Sequence, residues 1–160
     1  MVLDVWKQIK KKQFAPMYLV YGSEPYLIQE TIQKIKENAL TDDEVEFNIT
    51  TFDMEETPVQ FAIEEAETFP FMGERKLIII HNPVFLTAEK AKVEHNIALL
   101  LEYIDNPSPF SIVVFAGNYE KLDERKKITK QLKRKASVVE VKKLKDQELS
   151  NWISSQAKSF

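Results

Sequence analysis

Three apolar runs constrain the fold of this chain: Met17 to Tyr21, Leu77 to Ile80 and Ile112 to Ala116. None shows polar alternation, and segments with helical periodicity separate them, which is how strands covered on both faces read. Each run is far too short to span a bilayer. The expectation is an α/β chain with a parallel five-stranded sheet and helices on both faces, its strands at 17–21, 44–53, 76–81, 111–116 and 137–141. The stretch Glu44 to Asp53 alternates more, with Val45, Phe47, Ile49 and Phe52 among polar neighbours, and reads as a strand nearer the sheet edge.

The intervening helices carry local signals. Ile28, Ile32, Ile35 and Ala39 form one stripe, with Ser23 as the expected cap and Pro25 in the first turn. Thr57-Pro58-Val59-Gln60 reads as a capping box with proline at the first helical position, opening a helix whose stripe is Val59, Ala62, Ile63 and Ala66. Val93, Ile97, Leu100, Leu101 and Ile104 mark a third helix, stopped by Asn106-Pro107-Ser108-Pro109, and Leu122 to Lys135 reads as a fourth. Val2, Val5, Trp6 and Ile9 form an amphipathic amino-terminal stretch without the continuous apolar core of a signal peptide. Beyond Val141 the pattern changes, and Leu149, Trp152, Ile153, Ala157 and Phe160 suggest a helix that begins a second domain. The expected division is a first domain over 1–141 and the truncated start of a helical second domain over 142–160.

With 44% apolar residues the chain can bury a core, and its net charge of -3 gives no global attraction to nucleic acid or membrane. The absence of cysteine excludes disulfides and thiolate chemistry and fits a reducing, cytoplasmic setting. Gly22, at the end of the first strand, invites a phosphate-loop test, which fails: Leu27, Ile28 and Gln29 stand where a second glycine, a lysine and a magnesium-binding hydroxyl are needed. The third strand ends Ile79-Ile80-His81-Asn82 without a carboxylate for magnesium. His81 and His95 have no metal-binding frame, and read as a strand-end turn and a helix surface. The pairs Asp42-Asp43 and Glu64-Glu65 read as solvated faces. No catalytic residue, cofactor or metal ligand is expected.

Two features remain. Thr68-Phe69-Pro70-Phe71-Met72-Gly73-Glu74-Arg75 connects a helix to a buried strand, yet carries two phenylalanines and a methionine. Either these side chains fold back to cap the core, or they are offered to a partner's pocket with Pro70 restricting the loop. Charge is also segregated: residues 41–75 hold eleven acids and one base, residues 120–145 eleven bases and four acids. Arg125, Lys126, Lys127, Lys130 and Lys133 are accordingly candidate contacts to DNA or to an acidic partner, or a solvated face. A nucleotide-binding α/β enzyme and a nucleic-acid-binding module using residues 120–135 are the rival classes.

The order of these signals resembles the delta subunit of the bacterial DNA polymerase III clamp loader. The resemblance is carried by Pro16-Met17-Tyr18-Leu19-Val20-Tyr21-Gly22-Ser23-Glu24-Pro25-Tyr26-Leu27, Phe47-Asn48 leading to Phe52-Asp53, Ala66 through Leu77, and Leu122-Asp123-Glu124-Arg125-Lys126-Lys127. It implies an AAA+-like, RecA-like domain without a functional phosphate loop and without hydrolysis of its own. It also implies an apolar wedge, Pro70 and Phe71 flanked by Phe69 and Met72, that enters a pocket on the sliding clamp (the beta subunit) and helps open the ring for loading onto primed DNA. Family members often have a bulky apolar residue where this chain has Pro70. They are about twice this long and join the delta prime and tau/gamma subunits through regions mostly absent here.

Overall fold

A computed structural model of the chain describes residues 2–142. The expected second domain over 142–160 lies, beyond Lys142, outside the described residues. In chain order the elements are α1 (Val2–Lys10), β1 (Met17–Gly22), α2 (Pro25–Ala39), α3 (Asp42–Phe47), β2 (Ile49–Asp53), α4 (Val59–Glu67), β3 (Lys76–His81), a 3-10 turn (Val84–Leu86), α5 (Ile97–Asp105), β4 (Ser111–Gly117), α6 (Lys127–Lys135) and β5 (Ser137–Val141). All five strands are parallel, in the order β2-β3-β4-β1-β5.

Strand alternation divides the interior into two cores. Leu19, Ile78, Ile80, Val113 and Phe115 face α4, α5 and α6, while Tyr18, Val20, Leu77, Ile79 and Val114 face α1 and α2. Both sets are apolar because both faces are covered, which accounts for the unbroken runs of β1, β3 and β4. On the second face the Trp6 indole donates to the Thr31 hydroxyl at 2.8 Å, and the Lys34 ammonium lies 4.7 Å from the Trp6 ring centroid, fastening α1 to α2.

Five local readings need correction. Residues 44–47 are not strand: Thr41 and Glu44 form a reciprocal capping box that winds Asp42–Phe47 into a helix, and only Ile49–Asp53 pairs with β3. Neither Ser23 nor Thr57 caps a helix; the first residues outside α2 and α4 are Glu24 and Pro58, and neither makes a side-chain cap. For α4 the acceptor comes from far away, since the Val59 N–H donates to His95 Nδ1 at 2.9 Å, while the Gln60 side chain accepts from the Asn96 N–H instead. The third and fourth helices begin late, at Ile97 and Lys127, because Asn96 caps α5 and an Asp123-centred turn precedes α6.

Gly22 has a structural reason to be glycine that involves no phosphate. Its φ is +146°, it pairs with Val141 of β5, and a β-carbon there would collide with the Val141 carbonyl. Gly22→Ala is expected to destabilise the chain by about 2 kcal/mol or more. Urea denaturation checks this; a loss below about 0.5 kcal/mol would contradict it.

Candidate functional site

The amino ends of the parallel strands lie together at one end of the sheet. Residues just before them meet there: Phe14 before β1, Asn48 before β2, Arg75 before β3 and Phe110 before β4. The 68–75 loop crosses this end. Its three large apolar side chains point outward, with Phe69 79%, Phe71 86% and Met72 39% exposed. Core capping is therefore not their role. Pro70 between them is half-buried. The Phe69 ring rests 4.9 Å from that of Phe110, and the Phe71 ring 6.2 Å from that of Phe47, so the two phenylalanines splay to opposite sides of Pro70.

Buried polar groups fix both ends of the loop. At its start, Lys76 is 4% exposed, and its ammonium donates to the Glu65 carbonyl at 2.8 Å, the Glu65 carboxylate at 2.6 Å and the Thr68 carbonyl at 3.1 Å. The Ser111 hydroxyl donates to the Ala66 carbonyl at 2.6 Å. Ser111 thus satisfies a carbonyl that the last turn of α4 leaves without a helical partner, while Lys76 joins the Thr68 N–H on the Glu65 carbonyl and holds the carbonyl of the cap residue Thr68. At its end, α3 supplies the anchors. The Asn48 side-chain amide donates to the carbonyls of Met72 and Arg75, and the Glu44 carboxylate accepts from the Glu74 N–H at 3.1 Å. Gly73, at φ +75°, passes so close to Glu44 that a β-carbon would strike the carboxylate. The Arg75 guanidinium sits 4.8 Å from the Phe14 ring centroid.

Glu44 is buried, which by itself raises its pKa. The N–H groups of Thr41, Glu74 and Arg75 and the Thr41 side chain outweigh that and hold the carboxyl below its ordinary value. Around the apolar centre, Asp43, Glu67 and Glu74 are exposed and form an acidic rim, in which Lys12 and Arg75 share a groove with Asp43 and Glu74.

The basic residues 125–133 are not part of this surface as a group. Arg125 forms a fork to Asp123, at 3.0 and 3.2 Å, Lys126 donates to the Phe85 carbonyl at 3.2 Å, and Lys133 pairs with Glu124 and lies over the Tyr21 ring. Lys127 and Lys130 stay exposed on α6. His95 is no surface residue: Nδ1 accepts from Val59, which places the proton on Nε2, from where it donates to the Met54 carbonyl at 3.1 Å. Burial lowers its pKa, against the opposing pull of the Met54 carbonyl, so it is built in as a neutral capping ring. At the carboxyl end of the sheet, where related folds place nucleotides, Tyr119 is pushed up to about 12 by burial and by Glu55, Glu89 and Asp53. Carboxylates there repel phosphate.

The model for the family described as DNA polymerase III, delta subunit matches residues 18–142. The DNA polymerase III subunit delta of Bacillus subtilis is 48% identical over 99% of this chain and 46% of its own length. The chain belongs to the DNA polymerase III delta subunit family. It spans about half the length of the relatives it matches. A solved structure described as the Bacillus subtilis DNA clamp loader delta protein superposes with a TM-score of 0.90, at 48% identity over 99% of this chain and 48% of that one. Two Thermotoga maritima proteins share the fold alone: a DNA polymerase III gamma subunit-related protein (TM-score 0.58, 12% identity, 91% of this chain and 47% of that one) and RuvB (0.52, 16%, 98% and 48%). The expected AAA+/RecA-like parallel sheet is thus the fold of this family member. Among the described residues no helix is long and apolar enough to cross a membrane.

Sequence reasoning found the loop but missed Lys76, Asn48 and Glu44, which set its shape. Glu44 alone carried a usable signal, the capping-box spacing from Thr41. Because the folded pKa of Glu44 is depressed, its contribution to loop order is present above its ordinary value of 4.5 and is lost as pH falls through the lower folded value. The Glu74 amide resonance, which reports the hydrogen bond, is expected to titrate with a midpoint below 4.5; a midpoint at or above it would contradict the clamp.

Proposed function

We propose that this chain is the clamp-binding portion of a clamp-loader delta subunit, with Phe69, Pro70, Phe71 and Met72 as the wedge that enters an apolar pocket on the sliding clamp. The observation that carries the reading is the exposure of Phe71, at 86%, on a loop held by buried polar anchors at both ends. Exposed apolar rings on a mobile loop would lose entropy on binding; rings on a fixed loop lose little. Burial contributes about 25 cal/mol per Å², so two phenylalanines and a methionine supply several kcal/mol before ordering costs.

Ring opening needs no chemistry from this chain. A wedge that binds the open interface more tightly than the closed one shifts the population of a strained ring by that difference in affinity. The chain acts as a non-catalytic subunit: ATP is used by its neighbours in the loader, and the delta prime and tau/gamma subunits are joined through regions mostly absent here. The missing phosphate-loop residues and the acidic carboxyl end of the sheet support this division. The intramolecular pairing of Arg125, Lys126 and Lys133 speaks against these three as dedicated DNA contacts, leaving Lys127, Lys130, Arg134 and Lys135 as the exposed cations of α6. The acidic rim steers approach to the clamp, an effect that weakens with salt.

Titration of the chain with purified bacterial sliding clamp is the test. Saturable binding is expected to weaken at least about tenfold in Phe71→Ala and further in Pro70→Ala/Phe71→Ala, with an association rate that falls as ionic strength rises. Binding indifferent to Phe71 would overturn the wedge, and a salt-independent rate would remove the steering.

A further inference from the structure

Phe47 closes α3 and is 53% exposed, its ring centroid 6.2 Å from that of Phe71. The neighbouring side chains of this short helix have structural duties. Glu44 accepts from the Glu74 N–H, Val45 packs against the second core, and Asn48, its cap residue, holds the carbonyls of Met72 and Arg75. Phe47 lies beside the ring of Phe71, and more than half of its surface is open to solvent. Two phenylalanines from segments 24 residues apart in sequence therefore form one continuous apolar surface. The exposed Asp43 and Glu74 line the groove beside Met72 next to it, together with Lys12 and Arg75.

We propose that Phe47 is a second apolar contact for the protein that receives Phe71, so that the partner-binding surface extends from the loop onto α3. This rests on the function proposed above. A pocket deep enough to enclose the Phe71 ring must place one wall over its neighbour, because the two rings are in contact on that side. Covering both removes more apolar area from water than the loop does alone. Phe47 also restricts the positions open to the Phe71 ring and lowers the cost of ordering it. The occupant this surface fits is a folded protein with an apolar pocket whose rim, on the α3 side, carries lysine or arginine facing Asp43 and Glu74.

The experiment compares the native chain with Phe47→Ala, Phe71→Ala, the double variant and Tyr26→Ala, each titrated with purified bacterial sliding clamp. Tyr26 is an aromatic residue of similar exposure, 60%, near the opposite end of the sheet. Phe47→Ala is expected to weaken binding by about three- to tenfold, with a double-variant loss smaller than the product of the single losses, since the rings are buried by one pocket. Tyr26→Ala is expected to bind within about twofold of the native chain. Thermal melting identifies any variant that folds poorly, and Phe47→Leu, which keeps an apolar side chain, is then expected to recover part of the affinity. Native-like binding by Phe47→Ala alongside a weakened Phe71→Ala would overturn this proposal while leaving the wedge intact. Absence of saturable binding by the native chain would overturn the function itself, and the proposal with it.

Discussion

A buried lysine ammonium joins the last turn of α4 to the first residue of β3. Lys76 opens a strand that is otherwise leucine and isoleucine, and at 4% exposure its charge must be matched by hydrogen bonds. It finds three acceptors, the carbonyls of Glu65 and Thr68 and the Glu65 carboxylate. Because those acceptors lie where α4 ends and the loop starts, satisfying Lys76 fixes the direction in which the chain leaves the helix. Asn48 and Glu44 repeat the device at the other end of the loop. Phe69 and Phe71 are thereby held outward at an energetic cost that packing against the core would avoid.

Placing this loop at the amino end of the sheet separates it from the end where α/β folds bind nucleotides. The carboxyl end of this chain keeps the shape of such a site without its chemistry. Gly22 there serves the close approach of β5, Leu27 and Ile28 are core residues of α2, and Asp53, Glu55 and Glu89 surround Tyr119. The fold of this delta family member thus positions an exposed apolar loop with a scaffold its structural neighbours share.

What could be read from the residues alone follows from the range of the forces involved. The central strands were legible because burial on both faces leaves a local signature in four or five consecutive residues. Residues 44–47 misled because Val45 and Ile49 fit both an alternating strand and an i, i+4 helix, and the reciprocal Thr41–Glu44 pair decided the matter. His95 was assigned to a surface because nothing near it in sequence reveals that Val59, 36 residues away, donates to it. The 68–75 loop was legible as apolar residues in a connecting segment, whereas its direction was not. That direction depends on Asn48 and Glu44 meeting residues 24 to 30 positions later, a pairing that exists only once β2 and β3 are in register.

The most direct measurement is amide hydrogen exchange of this chain, free and saturated with bacterial sliding clamp. A pre-formed outward loop predicts that residues 73–75 are already slow in the free chain through their anchors. It further predicts that the clamp adds protection across 68–75 and 42–48 and leaves 127–135 unchanged. Fast exchange of the free loop, or clamp protection centred on α6, would contradict the account.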